Sequence, residues 1–530
     1  MKSIQLLLVL FFLALPVVVK AQFTFITNNN AITITGYTGS GGTVIIPVTT
    51  NGYPVTSIGD SAFGLATNVT CITIPNSVTN IERYAFAFSA ALTNVIISTN
   101  VAVFGSFVFS DCTNLTSVII PNGVTTIGIS MFEDCSNLDN VTIGGSVVSI
   151  GGGAFSSCTS LANVTIPNSV TNIGAGAFST CTGLTNVILG TNAASVGVGA
   201  FEYCSSLMNV TIPDGVTSIG YEAFAACASL TKVIIPRSVA SIGDFAFGEC
   251  GLLTSIMVDA NNPYFTSVAG VLFDKNQTTL IAYPGGLNGS YAIPNGVTNI
   301  VNYAFIECAN LYNVTIPNSV TVIGSYAFDE CAALTNVTLG HSLRSIGVEA
   351  FGFCDGLTSL TIPNSVTNIG SSAFFSCASL TNVTFDGAIS SIGDYAFSSC
   401  GSMTGVYFTG NSPTPSNDLT VFSEGNYTTV YYLPGTSGWG QTFDGRPTAL
   451  WTLPYPLILN DSPGFGVLRN AFGFTISWAT NLPVLVEACT NLADPVWLPL
   501  ATNTLTSGTN YFSDPQWTNY PARYYRVGAQ

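Results

Sequence analysis

Two apolar rhythms alternate along most of the chain. In NVTIPNSVTNIGAGAFSTC (163–181), Val164 and Ile166 alternate with Asn163 and Thr165, the two-residue period of a strand with one buried face. Pro167 cannot donate to a ladder and ends that strand, and Asn168-Ser169 makes the turn. Val170 and Ile173 predict a second extended segment pointing inward. Gly174 permits a bend, and Ala177-Phe178 predicts a tight helical or 3-10 turn that returns the chain.

The same order recurs at a fixed interval. Cys112, Cys135, Cys158, Cys181, Cys204, Cys227 and Cys250 form one run, and Cys308, Cys331, Cys354, Cys377 and Cys400 a second, with every step within a run equal to 23. Counted from the leucine three residues after each cysteine, the repeat reads L-T-N-V-T-I-P-N-S-V-T-N-I-G-x-x-A-F-x-x-C-x-x. Eight copies occupy 69–252 and five occupy 288–402, with a degenerate copy at 55–67 and a fading half-copy from Met403. A constant period of this length marks a solenoid. One copy has too few inward residues to form a core and must bury them against its neighbours. Ala66 and Ser89 replace the cysteine in the first copies, as suits atypical capping repeats.

The A-F-x-x-C-x-x-L-x-x-V-x-I-P unit resembles the BspA-like, or Treponema-type, bacterial leucine-rich repeats, over roughly residues 23–450. The resemblance implies a leucine-rich repeat solenoid of 23-residue repeats, each a parallel β-strand plus a short helical or 3-10 turn. The stretch 32–63 is similar to the family's opening segment. VDANNPYFTSVAGVLFDKNQTTLIAYP (258–284) is similar to a β-hairpin interruption, in which 270–273 and 279–283 would pair across Asp274-Lys275-Asn276-Gln277. From about residue 456 the cysteine period ends and short alternating strands follow. With Trp478, Trp497 and Tyr524-Tyr525-Arg526-Val527 they resemble a fibronectin type III-like domain, a small all-β sandwich. The expected organisation is a signal peptide at 1–21, an N-terminal capping segment at 22–68 and repeats 1–8 at 69–252. A hairpin insertion at 253–287, repeats 9–13 at 288–402, a C-terminal cap or linker at 403–455 and the sandwich at 456–530 complete it.

Composition narrows the function. Only 7% of residues are charged and the formal net charge is −16, which disfavours nucleic acid and anionic lipid as partners. The opening MKSIQLLLVLFFLALPVVVKAQ reads as a signal peptide cut after Ala21, and no later run is long enough for a transmembrane helix.

Candidate chemistry is sparse. Zinc sites use cysteine pairs two to four residues apart, which a 23-step ladder lacks. The ladder cysteines read as small buried hydrophobes beneath the turn, with occasional disulfides between neighbouring rungs as the alternative. His341 is the only histidine, so no imidazole pair exists for catalysis or metal binding. Glu133-Asp134 and Asp329-Glu330, with Glu202, Glu249 and Glu307, read as a mildly acidic solvated edge rather than opposed carboxylates in a cleft. The Asn-Val-Thr sequons at Asn68, Asn163, Asn209, Asn313, Asn336 and Asn382 follow from copying one repeat. No catalytic residue, metal or cofactor is expected.

What remains is surface. Repeat positions 2, 3 and 5 are expected to point outward. Position 2 is threonine in most copies, as at Thr335 and Thr381, and positions 3 and 5 carry Thr142, Asn163, Thr165, Asn186, Asn209, Thr211, Asn313, Thr315, Asn336, Thr338, Thr361, Asn382 and Thr384. They predict a flat, polar, nearly uncharged face for an extracellular protein or glycan. Position 16 is often aromatic (Tyr84, Phe107, Phe245, Tyr303, Tyr326, Tyr395). The resemblance implies surface attachment and binding of proteins outside the cell. The expected function is therefore a secreted or cell-surface, non-enzymatic binding or adhesion protein. A carbohydrate-binding or structural matrix role is the alternative.

Overall fold

The computed structural model describes residues 22–414, 420–424, 427–451, 453, 455–459, 464–478 and 481–529. The apolar segment read as a signal peptide lies outside the described residues. The chain divides into two compact bodies, Met1–Gly183 and Leu184–Gln530, and the 23-residue rung builds each of them.

In the first body, position 3–5 strands stack in parallel in the order Gly42–Ile45, Val69–Thr73, Asn94–Ile96, Ser117–Ile119, Asn140–Thr142. Two-residue strands at positions 12–13 make a second parallel ladder, as in Thr126–Ile127, Ser149–Ile150 and Asn172–Ile173. An antiparallel pair, Phe23–Asn28 with Ala31–Tyr37, precedes the rungs, and Tyr37 stacks on Phe63 at 5.3 Å.

The core follows from the repeat. Leu161, Val164, Ile166, Val170, Ile173, Ala177, Phe178 and Cys181 are all buried, and other rungs repeat the set. Phe86, Phe109, Phe132 and Phe155 stack nearly parallel with centroids 5.2–5.3 Å apart. Burying each such ring contributes roughly 2 kcal/mol.

The segment expected to be helical is not a helix. Phe86 and Phe88 donate their N–H groups to the carbonyls of Val108 and Ser110 on the next rung (2.9 and 2.8 Å). The intervening Ala87 and Ser89 donate three residues back, to Tyr84 and Phe86. Left-handed backbone at positions 16 and 20 produces this alternation, as at Tyr84 (φ 55°) and Phe88 (φ 60°). The reason is spacing. A helix is about 10 Å across, whereas rungs stack at the strand separation of about 4.8 Å. A flat run of turns fits that spacing, and every second N–H ties one rung to the next. Among the described residues the only 3-10 turn is Trp517–Asn519.

Glycine at position 14 meets the same demand. A Cβ on Gly174 would lie 2.6 Å from the backbone nitrogen of Gly152, so only glycine lets these rungs close.

The second body continues the pattern with Asn186–Ile188, Asn209–Thr211, Lys232–Ile235 and Ser255–Val258 in parallel. The insertion is a three-stranded antiparallel element, not a simple hairpin: Phe265–Val268 pairs with Val271–Asp274, which pairs with Thr279–Ala282. Its last strand then pairs in parallel with Asn299–Ile300. Tyr283 takes the phenylalanine place, donating N–H to Ala304 (2.7 Å) with its ring 4.8 Å from that of Phe305. Buried Asn262 anchors the element. It donates to the carbonyls of Pro236 and Val239 and accepts from the N–H groups of Tyr264 and Phe265.

Ladders then run through Gly289–Ala292, Leu311–Thr315 and Asn336–Thr338, and through Ser359–Ile362, Asn382–Phe385, Gly405–Phe408, Thr429–Tyr432 and Arg446–Leu450. The last part is all-β. Ala471–Ser477 pairs with Leu457–Leu459, Gly466–Leu468 and Thr509–Asp514, and Pro483–Cys489 pairs with Leu498–Thr504 and Tyr524–Ala529, all antiparallel. Phe474, Ile476, Val484, Val486, Leu505 and Phe512 form the core between them.

Candidate binding faces

The cysteine ladder is internal chemistry. All fourteen cysteines are free thiols, so the disulfide alternative does not hold. Among the described residues no cluster of three or more His, Cys, Asp or Glu side chains is placed to hold a metal ion. The thiols do more than fill space. Cys112, Cys135, Cys158 and Cys181 donate to the carbonyls of Phe86, Phe109, Phe132 and Phe155 one rung below, at 3.1–3.2 Å. Cys227, Cys250, Cys331, Cys354, Cys377 and Cys400 repeat the bond in the second body. Ser89 makes it with a hydroxyl, 2.8 Å from the carbonyl of Phe63. Burial pushes the thiols of Cys112, Cys181 and Cys250 up to about 12, which keeps them protonated donors at neutral pH. The serine substitute was the available sign of this role, since serine and cysteine share a donor and alanine does not.

The sheet face carries the expected polar residues in interrupted patches. Register sets Asn186 beside Asn209, Asn313 beside Asn336, Thr315 beside Thr338, and Thr361 beside Thr384. In the first body Thr142, Asn163 and Thr165 are exposed on the strands Asn140–Thr142 and Asn163–Thr165. Exposed Ile188, Ile234 and Met257 break the threonine row beside Thr211, so the face is less uniform than expected. Position 2 is consumed by the fold: Thr335 and Thr381 donate to the carbonyls of Tyr312 and Thr358 on the rung below. Asn313 bonds Ser290 (2.9 Å) and Asn382 bonds Thr381 (3.0 Å).

Where the threonine row ends, register continues from Thr384 to Tyr407 and Tyr431. Those rings stack at 4.9 Å, with Trp451 4.9 Å from Tyr407. Gly405 makes room, since a Cβ there would lie 2.7 Å from the Tyr407 ring. The sequence reading missed this aromatic end, because it lies past the last regular repeat and only strand register puts it on the face.

The acidic edge is not uniformly solvated. Asp329 is 7% exposed and its Oδ1 has no hydrogen-bond partner, while Glu330 beside it faces solvent. Burial and the carboxylates of Glu349, Glu330 and Glu307 push the Asp329 carboxyl up to about 7. Glu307 also rises to about 7, from burial and from Glu249 and Glu330. His341 is an exposed turn residue whose N–H donates to Asn318 Oδ1 (2.8 Å).

These features meet in known proteins. The family model described as "BspA type Leucine rich repeat region" matches in six copies across residues 45–162, 148–271 and 289–414. The chain belongs to the BspA-type leucine-rich repeat family, whose surface members point to a binding or adhesion role. A leucine-rich cell surface protein of Faecalibacterium prausnitzii is 31% identical, with 77% of this chain and 97% of that one covered and a TM-score of 0.54. A leucine-rich repeat protein of Bacteroides ovatus is 28% identical, with 73% and 93% covered and a TM-score of 0.53. Comparison with curated proteins gave no match. Among the described residues no helix is long and apolar enough to cross a membrane.

Proposed function

We propose that this is an exported, non-enzymatic binding or adhesion protein whose position 3 and 5 face docks extracellular protein partners. One observation carries the reading. Thr315 and Thr338 are exposed, have no side-chain hydrogen bond among the described residues and stand in register on paired strands, and exposed Thr361 stands likewise beside Thr384 on a separate ladder. Their fold role is complete without their hydroxyls, which leaves a regular row of donors and acceptors for a partner. Many weak contacts along such a row gain affinity by area and multivalency.

The test is binding of the full chain to immobilised extracellular matrix proteins. Thr338→Glu with Thr361→Glu should weaken a positive interaction about tenfold with no change in melting temperature. Undiminished binding by the folded variant would rule this face out.

A carbohydrate partner is a second reading, favoured by the Tyr407–Tyr431–Trp451 cluster. Aromatic faces and edges suit sugar rings, and the threonine row adjoins them. Loss of glycan binding in Tyr407→Ala with Tyr431→Ala, without loss of protein binding, would select it.

A further inference from the structure

A second surface lies away from the sheet face, on the turn edge of the second body. Positions 16, 19 and 20 there carry Glu202, Glu222, Glu249, Glu307, Asp329, Glu330 and Glu349. Interleaved with them are Tyr203, Tyr221, Phe245, Tyr303, Tyr326 and Phe353. We propose that this edge docks a cationic polypeptide segment, with lysine and arginine side chains lying between the carboxylates and over the rings.

The charge on this edge is uncompensated. Ion pairs such as Arg237–Asp214, Arg523–Asp514 and Arg526–Glu487 lie elsewhere, and none among the described residues involves these seven acids. Neighbouring carboxylates repel one another: Glu202 is raised by burial and by Glu222 and Glu249, and Glu249 by burial and by Glu330 and Glu222. Asp329 is a separate indication. It is more than nine-tenths buried among Glu307, Glu330 and Glu349, with an unpartnered Oδ1. Gly352, at the equivalent place on the next rung, lets that oxygen approach closely, since a Cβ there would stand 2.5 Å from it.

Backbone geometry argues that folding does not require these side chains. Glu222, Glu249, Glu307, Glu330 and Glu349 all have φ of 50–57°, a left-handed conformation costing a side chain about 1 kcal/mol relative to glycine. Gly199 at φ 55° shows that a rung of this body accepts glycine at position 16. The rings recover some of that cost by ring contacts, Phe245–Tyr303 tilted at 5.0 Å and Tyr303–Tyr326 stacked at 5.1 Å. For the glutamates no ion pair among the described residues recovers it.

The first body already shows the complementary geometry. There the Arg83 guanidinium lies 4.5 Å from the Tyr84 ring centroid and 5.5 Å from that of Phe107, a stacked pair at position 16. The Tyr303–Tyr326 pair has the same spacing, and no cation–π contact covers it among the described residues. A partner's arginine would supply what Arg83 supplies in the first body.

The probe is a fluorescein-labelled twelve-residue peptide alternating arginine and glycine, added to the full chain in about 50 mM salt at pH 7.5 and read by anisotropy. Glu249→Gln, Glu307→Gln and Glu330→Gln together should weaken binding about tenfold, and Tyr303→Leu with Tyr326→Leu about threefold. An equal charge change in the first body, Asp111→Asn, Asp134→Asn and Asp139→Asn, should leave affinity unchanged. Wild-type binding should be weaker at pH 5.5, where the edge gains protons. Hydrogen exchange of the wild-type complex should show protection over 199–250 and 303–353, which keeps the test independent of how the variants fold. Equal losses from the two triple variants, absence of wild-type binding, or protection confined elsewhere would overturn the proposal. So would calcium ions that bind below about 1 mM and displace the peptide, since the edge would then be a metal-ion surface.

Discussion

The thiol of Cys135 donates to the carbonyl oxygen of Phe109, 3.1 Å away on the rung below. That oxygen also accepts the N–H of Cys112, its own rung's cysteine, at 3.2 Å. A ladder cysteine such as Cys135 therefore closes its own turn through its backbone and clamps it to the rung below through its side chain.

Cys135→Ala should remove the inter-rung bond and leave a small void. The expected loss is about 1–2 kcal/mol, because the acceptor keeps its backbone donor while packing suffers. Cys135→Ser should cost less, since Ser89 makes the same bond to Phe63 at 2.8 Å. Urea midpoints of the two variants check the order. If alanine is as stable as serine, the sulfur is only a filler.

The thiols also predict an alkaline limit. An unfolded thiol titrates near 8.5, whereas Cys112, Cys181 and Cys250 are held up to about 12 by burial. Above pH 8.5 the unfolded chain releases protons that the folded chain keeps, so stability is full below that pH and falls as it rises. Urea midpoints should drop from pH 7.5 to 9.5, and Cys112→Ser with Cys181→Ser should flatten the slope. Native alkylation at pH 8 should modify chiefly Cys71, which is only partly buried and stands off the ladder.

The repeat was legible because its main facts belong to single positions. Period, strand-ending proline, inward Val170 and Ile173 and the buried Phe178 each follow from residue type and spacing. The turn misled, because A-F-x-x-C has the three-residue spacing of a helix. What selects turns instead is stacking at strand separation, a relation between rungs that no single copy displays. Glycine at Gly153 and Gly176, both at positive φ, was the local trace of it. The binding faces were half legible. Outward Asn163 and Thr165 follow from alternation, whereas the consumed hydroxyls at position 2 and the Tyr407–Tyr431 stack depend on register between strands.

Close approach of the rungs makes a direct test of that geometry. A Cβ on Gly174 would sit 2.6 Å from the Gly152 nitrogen and 2.7 Å from the Gly151 carbonyl carbon, both backbone atoms that cannot rotate away. Gly174→Ala should therefore cost about 2–4 kcal/mol through a local parting of rungs. Gly145→Ala is the control, its nearest contact being Asn122 Oδ1 at 4.0 Å. Equal urea midpoints for the two variants would mean the rungs are not packed this closely.

Asp329 gives an opposite pH dependence on the acid side. Its carboxyl is raised to about 7 by burial and by Glu349 and Glu330, against about 3.9 in an unfolded chain. The folded state thus favours the protonated form. Its stabilising effect is complete below pH 4 and is lost as pH rises through 7. The melting temperature should be higher at pH 5 than at pH 8, provided the acid edge outweighs any paired carboxylates that protonate in the same range. Asp329→Asn separates the two, since it keeps the shape and removes the buried charge. It should raise the melting temperature at pH 8, by the equivalent of on the order of 1 kcal/mol after screening, and change it little at pH 5. A variant that melts lower than wild type at pH 8 would mean that the carboxylate has a partner in solution, as a bound cationic segment would provide.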